Sequence, residues 1–209
     1  MQTLYLRKGA DRRLRAGHPW VYSNEVDTQR SPLAGFEAGD TVSVHNAGGA
    51  LLGSAYIESN MLICARVYAP GVEQAFNADF VAGQLAAALA LREACFAARS
   101  YRLVYGDSDG LPGLVIDRYG DYLVMQLNNA GLERYREILV EAVVRVLAPA
   151  GVLLRLDSRQ RRERGLESVS EVVHGEVPQE VPFAENGVDF LAPVHAGQKT
   201  GWFNDHRQS

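Results

Sequence analysis

Paired carboxylates could be drawn from three aspartates in and after a glycine-rich stretch, Asp107, Asp109 and Asp117, although nothing in the sequence favours that pairing. Two neighbouring carboxylates can act as acid and base in glycoside hydrolysis, so an acidic-site hydrolase is one alternative. The run Asp107-Ser108-Asp109-Gly110 also resembles the start of a calcium loop, but Ile116 stands where an EF-hand needs glutamate. The stretch is therefore more typical of a tight acidic turn than of a metal site.

The other groups that could act as nucleophiles or ligands lie in unpromising surroundings. Cys64 lies in a mostly apolar run and Cys95 in an alanine-rich one, which favours packing over catalysis for both. Gly197-Gln198-Lys199-Thr200 ends like a phosphate-binding loop, but Gln198 stands where such a loop needs glycine. The cysteines and histidines also lack the paired spacing of a zinc site, so the sequence predicts no metal. Because no constellation of nucleophile and base is evident, the sequence also predicts no catalytic residue in this chain.

Positive charge is concentrated in two segments, although the net charge of −4 mildly disfavours a nucleic-acid partner. One segment lies near the N-terminus, where only Asp11 opposes it, and the other lies between Arg155 and Arg164. Such clusters suit phosphate contacts, and a solvated surface explains each equally well. At helical spacing, Lys8, Arg12 and Arg15 would project to one side. The candidate RNA-contacting cations are Arg7, Lys8, Arg12, Arg13, Arg15, Arg159, Arg161 and Arg162.

Targeting and redox signals favour a cytoplasmic protein. The first residues lack the apolar region of a signal peptide. The longest apolar run of the alanine-rich stretch, Leu85 to Leu91, is far shorter than the roughly 20 residues that cross a bilayer. Two cysteines cannot build a disulfide scaffold, which fits a reducing compartment. No membrane partner is expected, and the sequence leaves open whether the chain is a monomer or a homodimer.

Short strands dominate the first part of the chain. Residues 41–45 alternate between apolar and polar with period two, and a turn at Asn46 to Gly49 leads into a second strand over 51–57. A short basic helix over 10–15 precedes a strand at 20–22, and a further strand is expected over 61–68. An alanine-rich helix over about 78–98 follows and is expected to link this unit to the next.

The second part of the chain mixes strands with one amphipathic helix. Strands are expected over 101–105, 114–119, 122–128 and 152–156, with apolar residues from Leu132 to Leu147 on one helical face. Two more strands follow, the last before a hairpin turn at Asn186-Gly187. This order lacks the strict strand–helix alternation of a doubly wound sheet.

Three segments together resemble one family. Leu6-Arg7-Lys8-Gly9 and Gly17-His18-Pro19-Trp20-Val21-Tyr22 resemble the opening of a PUA domain, a small RNA-binding pseudo-barrel. The stretch from Gly106 to Asp117 is similar to the central domain of the large-subunit rRNA cytosine-C5 methyltransferases of the RlmI type. The segment Gln198 to Arg207 resembles the family motif Q-K-T-G-[FWY]-[FY]-x-D-x-R at the doorway of its catalytic domain, and we call it the doorway segment.

The resemblance implies a partner, a cofactor and site residues. The partner would be ribosomal RNA, with His18 and Trp20 added to the cations as RNA contacts, and the role would be rRNA processing. The cofactor of the full-length family protein would be S-adenosylmethionine (SAM), which this chain is not expected to bind tightly. A cysteine thiolate adds to cytosine C6 in this chemistry, and neither Cys64 nor Cys95 lies in the family's motif. The residues expected to border SAM are Lys199, Thr200, Gly201, Phe203, Asp205 and Arg207, although Asp205 and Arg207 suit an anchor for the next domain equally well.

The predicted fold class is α+β. An N-terminal β-rich, PUA-like pseudo-barrel is followed by a mixed α+β central domain, and the Rossmann-like methyltransferase domain is expected to be absent from this truncated chain. The expected domains are residues 1–72, a linking helix over 73–100, the central domain over 101–192, and the start of the methyltransferase domain over 193–209. The chain is expected to bind RNA without catalysis, which leaves its status as an enzyme open. The main alternative is a stand-alone PUA-type RNA-binding module.

Overall fold

Two sheets organise the chain, whose computed structural model describes residues 1–157, 168–196 and 200–202. The first unit comprises Met1–Phe80 together with Ala130–Tyr135. The second comprises Val81–Asn129 and the described residues from Arg136 onward. Among the described residues, no helix is both long and apolar enough to span a membrane.

The first unit is built on a five-stranded sheet in the order β1-β3-β4-β5-β2. Its strands are β1 (Gln2–Tyr5), β2 (Trp20–Tyr22), β3 (Thr41–His45), β4 (Leu51–Ile57) and β5 (Ile63–Pro70). β1 runs parallel to β3, and the other neighbours are antiparallel. The strands predicted over 41–45 and 51–57 are confirmed as β3 and β4, and Val42, Val44, Ala55 and Ile57 lie in the apolar core of this unit.

The N-terminal basic helix is shorter than predicted. Helix α1 covers only Arg12–Arg15, a single turn without buried residues. The residues before it form turns, with the Ala10 amide donating to the Arg7 carbonyl at 3.1 Å. Lys8 therefore lies outside the helix, and the helical spacing that would place it beside Arg12 and Arg15 does not apply. The predicted single basic face is wrong in this respect.

The second unit has a five-stranded sheet in the order β10-β9-β8-β7-β6, and a separate hairpin. The sheet strands are β6 (Ser100–Tyr105), β7 (Leu114–Tyr119), β8 (Tyr122–Leu127), β9 (Gly151–Leu156) and β10 (Val169–Gly175). The hairpin strands are β11 (Val181–Glu185) and β12 (Val188–Ala192), and the longer helices are α2 (Ala78–Cys95), which begins in the first unit, and α4 (Arg136–Leu147). The short helix α3 (Ala130–Glu133) belongs to the first unit.

The predicted Asn-Gly hairpin turn is confirmed. Asn186 and Gly187 both have positive φ, 51° and 80°, which is the backbone of a type I′ turn. The turn joins β11 to β12, and the inward residues Val181 and Phe183 pack with Tyr119 of β7. The hairpin therefore covers one face of the second sheet.

The predicted fold class is wrong in excluding a Rossmann-like element. β8 and β9 are parallel neighbours, and α4 lies in the connection between them. Parallel neighbours need a crossover, so these elements form a βαβ unit of the kind from which Rossmann-like sheets are built. The sequence pattern missed it because the hairpin signals before β8 suggest antiparallel pairing, and strand direction depends on long-range pairing that local residue types do not encode.

Candidate functional site

Strand β2 presents aromatic side chains at the edge of the first sheet. Trp20 and Tyr22 alternate with the buried Val21, so both project to the face opposite the core. The guanidinium of Arg66 lies 5.5 Å from the Trp20 ring centroid, and that of Arg13 lies 4.4 Å from the Tyr22 centroid. Two aromatic rings with two cations beside them form a surface that can stack bases and bind phosphates.

His18 helps to hold the Trp20 ring. The two rings meet edge to face with centroids 5.2 Å apart, and the Trp20 backbone amide donates to His18 Nδ1 at 3.3 Å. The predicted RNA contacts His18 and Trp20 are therefore brought together in one place. The Gly17-His18-Pro19-Trp20 turn carries both.

Glu25 forms an ion pair with Arg13 at the same surface. One carboxylate oxygen pairs with Arg13 Nη2 at 2.7 Å, and the other accepts the Tyr22 backbone amide at 2.8 Å. The hydrogen bond to Glu25 raises the pKa of the Arg13 guanidinium, which stays fully charged. Arg13 is thus fixed beside Tyr22 and reaches a ligand only at the expense of its pair.

The other predicted N-terminal cations divide into paired and exposed groups. Arg15 Nε pairs with Asp11 Oδ2 at 2.7 Å, and this hydrogen bond lowers the pKa of the Asp11 carboxyl. Arg7 Nε donates to the Val26 carbonyl at 3.0 Å. Lys8 and Arg12 are exposed, and neither forms an ion pair with any residue that the structure describes. These two side chains are the most available cations of the segment.

Arg66 is the residue of this surface that sequence patterns could not find. It lies directly opposite Trp20 in the register of β2 and β5, and its side chain is 13% exposed. Its Nε is buried without a hydrogen-bond partner among the described atoms, and Glu58 Oε2 stands 4.0 Å away. Only strand pairing brings Arg66 to Trp20. Tyr22, by contrast, follows from the period-two alternation after Trp20.

Several predicted site residues lie outside the described residues. This holds for Arg159, Arg161 and Arg162 of the second basic cluster, and for Lys199, Phe203, Asp205 and Arg207 of the doorway segment. Arg155, at the edge of the same cluster, is buried: it donates to the Val194 carbonyl at 3.2 Å and pairs with Asp157.

Thr200 and Trp202 of the doorway segment contact other residues of the second unit. Thr200 is fully buried, and its hydroxyl donates to Asp117 of β7. The indole nitrogen of Trp202 donates to Glu185 of β11 at 3.1 Å. Both side chains are therefore bound by protein groups, and we derive no step through SAM. A cofactor role for Thr200 and Gly201 stays a prediction.

The acidic and thiol groups do not form a catalytic arrangement in the described part of the chain. Asp109 pairs with Arg92 at 2.8 Å, and Asp117 pairs with Arg102 at 2.9 Å, so two of the three aspartates are held by arginines. Burial raises the pKa of the Cys64 thiol to about 12, which keeps it protonated. No cluster of three metal-ligating side chains occurs among the described residues.

Comparison with known proteins agrees with the division into two units. The family model of a PUA-like domain matches residues 4–70. Ribosomal RNA large subunit methyltransferase I of Aliivibrio fischeri is 39% identical over 99% of this chain, and that of Vibrio cholerae is 36% identical over the same share. In both cases the chain spans about half (52%) of the relative's length.

Solved structures show the same fold. A Streptococcus mutans protein described as a SAM-dependent methyltransferase superposes with a TM-score of 0.81 at 22% identity. A second methyltransferase structure, a complex with SAH, superposes with a TM-score of 0.80 at 22% identity. Each match covers 100% of this chain and 52% of the solved one. The prediction that SAM is the cofactor of the full-length family proteins is confirmed by these structures.

The structural likeness completes the correction of the fold class. The sequence predicts a chain that lacks the methyltransferase fold, yet solved methyltransferases superpose on all of it. Both units described here are therefore part of the fold of those proteins. The resemblance drawn from the sequence is confirmed: this chain is a relative, over its whole length, of the large-subunit ribosomal RNA methyltransferase I family.

Proposed function

We propose that this chain recognises ribosomal RNA for a SAM-dependent large-subunit rRNA methyltransferase of the cytoplasm. The observation that carries the proposal is the surface around β2, where Trp20 and Tyr22 stand between the cations Arg66 and Arg13. Lys8 and Arg12 add exposed positive charge from the segment before β2. The PUA-like match and the names of the relatives support RNA as the ligand.

Each group of this surface has a distinct role in the proposal. The ring of Trp20 stacks on an unpaired base, because every base offers a π face whatever its sequence. Arg66, whose guanidinium lies 5.5 Å from the Trp20 ring centroid, adds positive charge beside the stacked base. Lys8 and Arg12 bind backbone phosphates and so contribute affinity without sequence preference.

The methyl acceptor in this proposal is C5 of a cytosine. SAM would supply the methyl group when it is bound. Addition to C6 needs a thiolate, and Cys64 cannot provide one, because it is fully buried and its thiol pKa is raised to about 12. Cys95 is exposed, but it lies at the end of the alanine-rich helix α2 and outside the family's motif. We therefore propose that this chain contributes recognition, and we propose no catalytic residue within it.

Binding of the chain to purified large-subunit rRNA tests the proposal. We expect Trp20→Ala to weaken binding by about 1–3 kcal/mol, the usual contribution of one base stacked on an aromatic ring, and Trp20→Phe to weaken it less. Tyr105→Ala, which removes an exposed aromatic side chain of the second unit, is the matched control. Equal affinities for all of these chains, or no binding by the unaltered one, would contradict the proposal.

The alternatives have weaker support. A stand-alone RNA-binding module shares the same surface, but the likeness to methyltransferases extends through both units. An acidic-site hydrolase needs accessible carboxylates, and the arginine pairs of Asp109 and Asp117 leave neither as an unpaired acid or base.

A further inference from the structure

Asp117 is a fully buried carboxylate at the centre of a small polar network in the second unit. Arg102 lies directly opposite it in the register of β6 and β7, and binds it in bidentate fashion. Arg102 Nε lies 2.9 Å from Oδ1, and Nη2 lies 2.9 Å from Oδ2. The guanidinium fork therefore fixes the plane of the carboxylate.

Thr200 completes this network from a distant part of the sequence. Its hydroxyl donates to Asp117 Oδ2, the oxygen that also accepts from Arg102 Nη2. The Tyr119 hydroxyl donates to the Thr200 carbonyl at 3.3 Å. Asp117 and Tyr119 are two residues apart on one strand and so share a face, which holds Thr200 by both its side chain and its backbone.

Trp202 extends the same attachment to the hairpin. Its indole nitrogen donates to Glu185, and its ring lies 5.0 Å from Phe183 and 4.8 Å from Phe190, centroid to centroid. Gly201, between Thr200 and Trp202, has φ of 110° and lies close to Val194. Residues 200–202 are thus docked by polar bonds at both ends and by aromatic packing.

Asp117 is fully buried while the Arg102 side chain is 27% exposed, and an ion pair that desolvates a carboxylate is a poor way to gain stability alone. An apolar pair of the same size often stabilises a core as well or better, because two charges need not be desolvated. A carboxylate whose orientation is fixed can, however, select one hydroxyl in one place, which apolar packing does not do. The Arg102–Asp117 pair is therefore better suited to orienting a bound hydroxyl group than to stabilising the core.

We propose that Asp117 is a positioning residue: held by Arg102, it fixes Thr200 and so docks residues 200–202 against β7 and the β11–β12 hairpin. The docking does not depend on the proposed function.

Fluorescence of Trp202 tests this. The chain has two tryptophans, so Trp20→Phe leaves Trp202 as the only one. In that background we expect Thr200→Val, which removes the hydroxyl but keeps the shape, to shift Trp202 emission to longer wavelength and to raise acrylamide quenching. Thr200→Ser, which keeps the hydroxyl, should restore the original emission. Thr28→Val, a change at an exposed threonine of the first unit, is the matched control.

Hydrogen exchange separates loss of docking from loss of folding. Faster exchange confined to peptides that contain Thr200 or the β11–β12 hairpin supports the proposal, and faster exchange throughout β6–β9 contradicts it. Identical emission and quenching in the Thr200→Val and Thr200→Ser chains would also overturn it. RNA affinity of the same variants is measured in parallel: failure of the unaltered chain to bind RNA refutes the proposed function and leaves the docking result intact.

Discussion

Glu25 binds Arg13 with one carboxylate oxygen at 2.7 Å and the backbone amide of Tyr22 with the other at 2.8 Å. A single acid thereby joins helix α1 to strand β2 and also places negative charge within the basic surface. The pair is partly exposed, with 42% of the Arg13 side chain accessible, so it contributes little to stability. Its larger effect is expected on ligand binding.

Glu25→Gln should strengthen RNA binding. The change removes a negative charge and releases Arg13, so the salt dependence of binding should become steeper by about one unit, as for one added phosphate contact. Filter binding at several salt concentrations measures both affinity and slope. Glu73→Gln, at an exposed carboxylate of the same unit, is the control. Weaker RNA binding by the Glu25→Gln chain would contradict this prediction, and would mean that Arg13 contributes to RNA binding only while Glu25 holds it.

Lys8→Ala combined with Arg12→Ala should reduce the same salt slope. Both side chains are exposed and form no ion pair among the described residues, so each should lose about one phosphate contact. Arg15→Ala should have a smaller effect, because Arg15 is already bound by Asp11. Arg99→Ala, an exposed arginine of the second unit, serves as the reference. An unaltered slope in the double variant would exclude this segment as the phosphate-binding surface.

Only one of the two thiols should react in the folded chain. Cys64 is fully buried, its thiol donates to the Val21 carbonyl, and burial raises its pKa to about 12. A disulfide reagent at pH 8 should therefore titrate Cys95 alone, and both cysteines after addition of denaturant. Since the unfolded thiol ionises near its ordinary value of about 8.5 while the folded one stays protonated, stability should fall as pH rises from about 9 towards 12. Rapid reaction of two thiols without denaturant would contradict this.

Gly201→Ala should destabilise the docking of Trp202. At φ of 110°, a new Cβ would lie 3.3 Å from the Val194 Cα, so backbone strain and crowding add together. We expect a loss of about 1–3 kcal/mol in urea unfolding, monitored by Trp202 emission in the Trp20→Phe background. Gly187→Ala is the matched control, because Gly187 also has positive φ but has open space around it. Equal losses for the two variants would mean that crowding at Val194 contributes nothing.

Local sequence signals determined the elements of this protein and the family it resembles. Alternation over 41–45 predicted β3, the turn at Asn46 to Gly49 predicted the return into β4, and Asn186-Gly187 predicted the last hairpin. Side-chain periodicity and turn-forming residues are properties of adjacent residues. The Gly-His-Pro-Trp turn likewise predicted one anchor of the candidate RNA surface. These features need no knowledge of how the strands pair.

Long-range pairing decided the rest. The parallel join of β8 and β9, which corrects the fold class, depends on which strands meet in the sheet. Arg66 lies beside Trp20 only because of the register of β2 and β5. Arg13 appears in the sequence as one of several clustered cations, but in the fold it forms an ion pair with Glu25. In the sequence, Asp117 is one of several aspartates in and after a turn-rich stretch. In the fold it is buried beside Arg102 and accepts a hydrogen bond from the Thr200 hydroxyl. The role of a charged side chain depends on the groups that it contacts, and contacts between residues distant in sequence form only when the chain folds.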